Sequence, residues 1–147
     1  MRKEPFQILL VEDNPSDVEL VREALSAWTS ATNLVVAEDG EQAVRYLRRN
    51  ASYAEEPAPD LILLDLNLPK KDGAEVLQDI KNDENLRSIP VIVLTTSDRE
   101  QDVRRAYSLH ANCYLTKPLE IDEFVDKVKA IEDFWLTYAR LPHKRIA

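Results

Sequence analysis

Glu12-Asp13, Asp65, Thr95 and Lys117 are the side chains of this chain best suited to chemistry. Each stands at the end of a short, largely apolar run: Ile8–Val11, Leu61–Leu64, Pro90–Leu94 and Cys113–Thr116. Crowded carboxylates repel and raise one another's pKa values, and a divalent cation relieves them. Oxygen ligands favour a hard ion, magnesium (or manganese), over zinc. His110 and Cys113 are lone side chains and read as packing or surface residues. With a metal bound, a carboxylate can attack phosphorus, because phosphoryl transfer asks mainly for positioning and charge neutralisation. Asp65 is the candidate nucleophile. Lys117 and the metal would take phosphoryl oxygens, and Thr95 would donate to another. The charge at Asp65 would change from one negative to about two.

Taken singly, each residue has an ordinary reading. A strand-end Asp starts a turn, a lysine is solvated, and Thr95 caps the next helix. Tyr114 is a half-buried aromatic. What joins them is the set of elements that must carry them. Leu61-Ile62-Leu63-Leu64 is an unbroken apolar run, as expected of a central parallel strand buried on both faces. Ile8–Val11, Leu34–Ala37, Pro90–Leu94 and Cys113–Thr116 read as four more strands. Between them lie helical patterns. The first opens at Asn14-Pro15 with Val18, Val21, Leu25 and Trp28 inward. The second follows Gly40, with Ala43, Val44 and Leu47 inward. The third opens at Asp72-Gly73, with Val76, Leu77 and Ile80 inward. Asp98–Leu109 reads as a weaker, more charged helix, and Ile121, Phe124, Val125, Val128 and Ile131 mark the last. Asn50–Asp60 is a polar surface loop. Strand–helix alternation with right-handed crossovers gives a parallel sheet covered on both faces. The pattern alone leaves strand order open between two common solutions, of which the flavodoxin-like 2-1-3-4-5 is one. In either, all strand carboxyl ends share one edge, where ligands bind.

The chain has 147 residues, one domain's worth, and a net charge of −8. That charge argues against nucleic acid as a direct partner. One cysteine excludes an internal disulfide, and no apolar run approaches the roughly 20 residues of a membrane helix. Met1–Pro5 has no apolar signal core, so a cytoplasmic location is expected. Only Gly40 and Gly73 occur as glycines, which excludes a glycine-rich nucleotide loop.

On these motifs the chain resembles the receiver domain of two-component response regulators, from about Gln7 to Ile131. Glu12-Asp13 matches the family's acidic pair and Asp65 its phospho-acceptor, with Pro69 and Gly73 at the family's spacing. Thr95 matches the switch hydroxyl, Tyr114 the switch aromatic and Lys117-Pro118 the lysine–proline pair. Glu12 stands where aspartate is commoner, and Asn112-Cys113 replaces the small residues often seen before the aromatic. The resemblance implies a flavodoxin-like (βα)5 doubly wound sheet in the order 2-1-3-4-5. It implies that Asp13, Asp65 and the backbone carbonyl of Asn67 bind magnesium directly, with Glu12 reaching it through water. It also implies a cis Lys117–Pro118 peptide. The function implied is phosphorelay signalling: a switch that takes a phosphoryl group from a sensor histidine kinase, catalysing only its own phosphorylation and dephosphorylation. The Asn50–Asp60 loop and the Phe134-Trp135 ending further resemble the stand-alone regulators paired with cyanobacterial phytochrome kinases.

The expected organisation is one receiver domain over 1–147, with a C-terminal extension from about 132 and no effector domain. Output is then a protein contact. Phe134, Trp135, Leu136, Tyr138 and Leu141 either cover the sheet or form a homodimer or partner patch, since exposed aromatic clusters mark interfaces. Two rivals fit less well. A haloacid-dehalogenase phosphatase wants a general-acid Asp two residues after the nucleophile, where Asn67 stands. A flavodoxin electron carrier wants a hydroxyl-rich phosphate loop where Glu12-Asp13-Asn14-Pro15 stands. A receiver that only binds, without phosphorylation, would not need the full set of side chains present.

Overall fold

The computed structural model describes residues 5–26, 31–49 and 58–142. Trp28 and most of the Asn50–Asp60 loop lie outside them. One parallel sheet runs in the order β2-β1-β3-β4-β5. Its strands are β1 (Phe6–Val11), β2 (Thr32–Ala37), β3 (Leu61–Leu64), β4 (Val91–Thr95) and β5 (Cys113–Thr116). The helices are α1 (Pro15–Ser26), α2 (Gly40–Leu47), α3 (Gly73–Lys81), α4 (Glu100–Ser108) and α5 (Ile121–Glu132). A π-helical turn, Asp133–Tyr138, continues α5.

Strand alternation sorts the core into two layers. Leu9, Val11, Ile62, Leu64, Val91 and Val93 pack with α2, α3 and α4. Ile8, Leu10, Leu61, Leu63, Ile92 and Leu94 pack with α1 and α5. Each such buried side chain contributes about 1.5–3 kcal/mol. The central position of β3 explains why Leu61–Leu64 has no polar interruption.

Side-chain caps start three of the five helices, α1, α2 and α3, while α4 and α5 begin without one. Asn14 Oδ1 accepts from the Ser16 amide at 2.9 Å, Asp39 Oδ1 from Gln42 at 2.8 Å and Asp72 Oδ1 from Glu75 at 2.9 Å. Each cap contributes about 1 kcal/mol. The outer edge of β5 is occupied by side chains: the Tyr107 hydroxyl accepts from the Tyr114 amide at 3.1 Å, and Lys127 Nζ donates to the Thr116 carbonyl at 2.7 Å.

The last helix and the tail each divide between covered and exposed residues. Ile121 is 60% exposed, because the first turn of α5 stands at the rim of the sheet, ahead of the layer that buries Phe124. The tail is divided. Leu136 is buried, and Trp135 and Leu141 pack against the α1–α5 layer, so these residues cover core. Phe134 and Tyr138 are 56% and 80% exposed, with the Phe134 ring edge-on to Trp135 at 5.4 Å.

Glu132, at the end of α5, is 8% exposed. Burial, and then the charge of Asp133, raise its pKa from 4.5 to about 7. A raised folded-state pKa means that stability is full below the ordinary value and is lost as pH rises through about 7. Glu132→Gln is therefore expected to gain about 1 kcal/mol near pH 8 and nothing near pH 4, read from urea midpoints. An equal gain at both pH values would mean that charge is not its cause.

Candidate functional site

The sheet brings the chemistry-bearing residues together. Glu12 follows β1, and its amide donates to the Ala37 carbonyl at 2.9 Å. Asp65 follows β3, and its amide donates to Val11 at 3.1 Å. Thr95 is the last residue of β4, in register with Thr116. Lys117 follows β5, and its amide donates to the Thr95 carbonyl at 2.6 Å. These bonds extend the ladders one step past the apolar runs. They hold each side chain at the same rim.

Glu12, Asp13 and Asp65 can each place a carboxylate oxygen within 4.8 Å of the others. Oxygens on opposite sides of a magnesium ion lie about 4.2 Å apart, so the cluster is near the size of a coordination shell. Glu12 and Asp65 are buried, and Asp13 is exposed, leaving the cluster open to water on one side. That suits an ion that keeps several waters. The donor set is all oxygen, and it fits a hard divalent cation.

Lys117 is 7% exposed. Its ammonium donates to Glu12 Oε1, to Asp17 Oδ2 at 2.8 Å and to Asp65 Oδ2 at 3.0 Å. Burial pulls its pKa down, but the bonds to Asp17 and Glu12 and the charge of Asp65 outweigh this and raise it. Glu12 is driven up to about 7, first by burial and then by Asp65, against the pull of Lys117. Three carboxylates thus share one ammonium, with Asp13 beside two of them, which leaves the rim short of positive charge.

Thr95 is fully buried, and its Oγ1 has no hydrogen-bond partner among the described residues. An unmet buried hydroxyl costs about 1–3 kcal/mol. It does not cap α4, whose N-cap is Arg99. A hydroxyl left in this state is suited to donate to an incoming oxygen. Tyr114 packs against the α2–α4 layer, and its hydroxyl donates to the Ser97 carbonyl at 2.8 Å, spanning the loop that follows Thr95.

The loop after Asp65 is held closely. The Asn67 amide donates to Asp65 Oδ1 at 3.1 Å. Lys70 adopts φ 67°, and its ammonium lies 3.6 Å from Asp39. The chain's two glycines both press on this loop. A Cβ at Gly40 would collide with the Lys71 carbonyl, and one at Gly73 with the Asp65 carbonyl and the Leu66 backbone. Gly73→Ala is expected to cost about 1–3 kcal/mol through overpacking against backbone. It should also weaken manganese binding, measured by titration. Wild-type affinity and stability together would show that the loop can shift freely.

One expectation is corrected and one residue was missed. The Lys117–Pro118 peptide is trans, as no cis bond occurs among the described residues. Trans is the intrinsically favoured isomer of an X–Pro bond by about 0.5–1 kcal/mol, and Leu119 beyond it is fully exposed. Asp17 is the missed residue. It lies in the first turn of α1, one helical turn after Asp13, a spacing that could have flagged it. Acids in a first turn are ordinarily explained by the helix dipole alone. A groove of about 490 Å³ lies apart from the carboxylates, between the loop after Asp65, α3 and α4, with Leu68, Leu77 and Arg105 in its lining.

A family model described as the response regulator receiver domain matches residues 8–129. The response regulator Rcp1 of Synechocystis sp. is 49% identical over 138 residues, covering 94% of this chain and 94% of that protein. The solved structure of its Mn2+-bound form has a TM-score of 0.91 and covers 95% of this chain and all of that one. The phosphorylated cyanobacterial phytochrome response regulator RcpA is 50% identical, with a TM-score of 0.93 over 95% of this chain and all of that one. A probable methanogenesis regulatory protein, FilR2 of Methanothrix harundinacea, is 44% identical over 95% of this chain and 90% of that protein.

Proposed function

Because this chain belongs to the response regulator receiver domain family, we propose that its rim accepts a phosphoryl group on Asp65 and turns that event into a change of protein contacts. The observation that carries the reading is the convergence of Glu12, Asp13 and Asp65 within 4.8 Å beside the Lys117 ammonium. An Asp65 carboxylate oxygen attacks phosphorus in line with the leaving group. The bond from phosphorus to the donor's imidazole nitrogen breaks, and the imidazole leaves with that electron pair. Asp13, Asp65 and the Asn67 carbonyl would hold a divalent cation, magnesium in the cell, with Glu12 behind it. That ion would supply positive charge to the phosphoryl oxygens. Lys117 binds one phosphoryl oxygen, and Thr95 donates to another. Satisfying the Thr95 hydroxyl draws the β4–α4 loop inward and loosens the Tyr114–Ser97 contact. Tyr114 then turns inward, and the surface of α4, β5 and α5 changes. Couplings of this kind are about 1–3 kcal/mol.

The test is incubation with acetyl phosphate and magnesium followed by intact mass. Gain of one phosphoryl group, lost again after hydroxylamine, supports an acyl phosphate. No gain from any phosphorylated donor overturns it. Turnover of a small phosphomonoester would instead support a phosphatase.

The donor proposed is a cytoplasmic histidine kinase of the phytochrome type, because Rcp1 and RcpA are similar over nearly their whole lengths. Residues 8–129 are proposed as the receiver unit, with those from about 132 as an extension of it. Phe134 and Tyr138, exposed while Trp135 packs against the α1–α5 layer, are proposed as a homodimer contact. Phe134→Ala with Tyr138→Ala should then lower the sedimenting mass toward the monomer. An unchanged mass removes the dimer.

A further inference from the structure

We infer that Asp17 is a positioning residue for Lys117, restraining the ammonium against α1 and so weakening its hold on a phosphoryl group at Asp65. The inference rests on the proposed role of Asp65 and goes beyond it. A lysine ammonium has three N–H donors and no more. Here three carboxylates take them: Glu12, Asp17 at 2.8 Å and Asp65 at 3.0 Å. A phosphoryl oxygen can gain a bond from Lys117 only by displacing one of these. Glu12 and Asp65 belong to the acidic cluster, where an added cation shares their charge. Asp17 lies outside that cluster, on α1, so its pull on Lys117 persists whatever the cluster holds. Its side chain is 22% exposed and that of Lys117 is 4% exposed, so water screens the contact only from the Asp17 side.

Asp17→Asn keeps the shape and removes the charge. A hydrogen bond to a charged group is stronger than one between neutral groups, and releasing one of three such bonds on Lys117 is expected to appear as a tenfold change, about 1.4 kcal/mol. The expected result is about tenfold tighter binding of beryllofluoride in the presence of magnesium, by calorimetric titration. The acetyl phosphate concentration at half-maximal rate should fall by the same factor. Asp17→Glu, which restores the carboxylate, should return both values toward wild type. A merely structural Asp17 would lower the melting temperature of the Asn variant without tightening the anion. Unchanged or weaker beryllofluoride binding by Asp17→Asn, with wild type binding normally, overturns the inference alone. Failure of wild type itself to bind overturns the Asp65 reading and the inference with it.

Discussion

An Asp65→Asn protein is expected to gain no phosphoryl mass from acetyl phosphate and magnesium under conditions that label wild type fully. The loss should be complete because the neighbouring carboxylates are not interchangeable with Asp65. Glu12 is bonded to Lys117 and to the Asn14 amide at 3.2 Å. Asp13 is exposed, with no bond to Lys117. Removal of a nucleophile from a unit that acts together typically abolishes its chemistry. The variant should not fold poorly. It removes one of four crowded carboxylates, and the charge of Asp65 is among the causes that raise the pKa of Glu12. Asp65→Asn should therefore be at least as stable as wild type without metal, by roughly 1 kcal/mol. Labelling that persists in this variant would move the acceptor elsewhere.

Lys117→Met should have the largest effect on stability. Breaking a buried ion pair by removing one partner costs about 3–5 kcal/mol, because it leaves uncompensated buried charge. Here Glu12 and Asp65 would both be left without their cation. The loss should depend on pH in a defined direction. Glu12 already has a folded-state pKa of about 7, against an ordinary 4.5, with Lys117 holding it down. Without Lys117 it rises further. An acid with a raised folded-state pKa favours folding below its ordinary value and disfavours it as pH rises through the folded one. The deficit of Lys117→Met should thus be smallest near pH 4–5 and largest above about pH 7. Magnesium should restore part of it at neutral pH. Urea unfolding at two pH values, with and without magnesium, measures this. An equal deficit under all conditions would mean that Lys117 acts by packing rather than charge.

Much of this architecture was legible because strand burial and site position share one cause. A central parallel strand must be apolar throughout, so the first polar residue after Leu61–Leu64 marks where the chain leaves the sheet. The same holds after Val11, and after Leu94 the polar Thr95 is the last residue of the strand. Parallel geometry places those exits on one rim, and the acids, hydroxyl and lysine could be assembled without coordinates. What could not be read depends on side chains crossing between elements. Asp17 reaches Lys117 from an adjoining helix, and nothing in its local sequence separates that from a helix-dipole acid. The orphaned hydroxyl of Thr95 is a property of what fails to surround it. The pressure of Gly40 on Lys71 arises between segments far apart in the chain. The division of the tail into covering and exposed residues depends on a π-helical turn, whose wider spacing breaks the 3.6-residue period. The Lys117–Pro118 bond is trans where the family resemblance implies cis, and no residue of the local sequence distinguishes the two isomers.

The occupied outer edge of β5 has a consequence for how such a protein survives at high cellular concentration. A bare terminal strand invites another molecule to add its own, and repeated addition builds fibrils. Here Tyr107 takes the outward amide of Tyr114, and Lys127 takes the outward carbonyl of Thr116. Two of the groups that an intruding strand would need are thus already engaged, and Lys127 adds a charge that would have to be stripped of water. Both plugs are contributed by the helices flanking that strand, so any rearrangement that lifts α4 or α5 to recruit a partner also uncovers the polymerisation edge for as long as the rearrangement lasts.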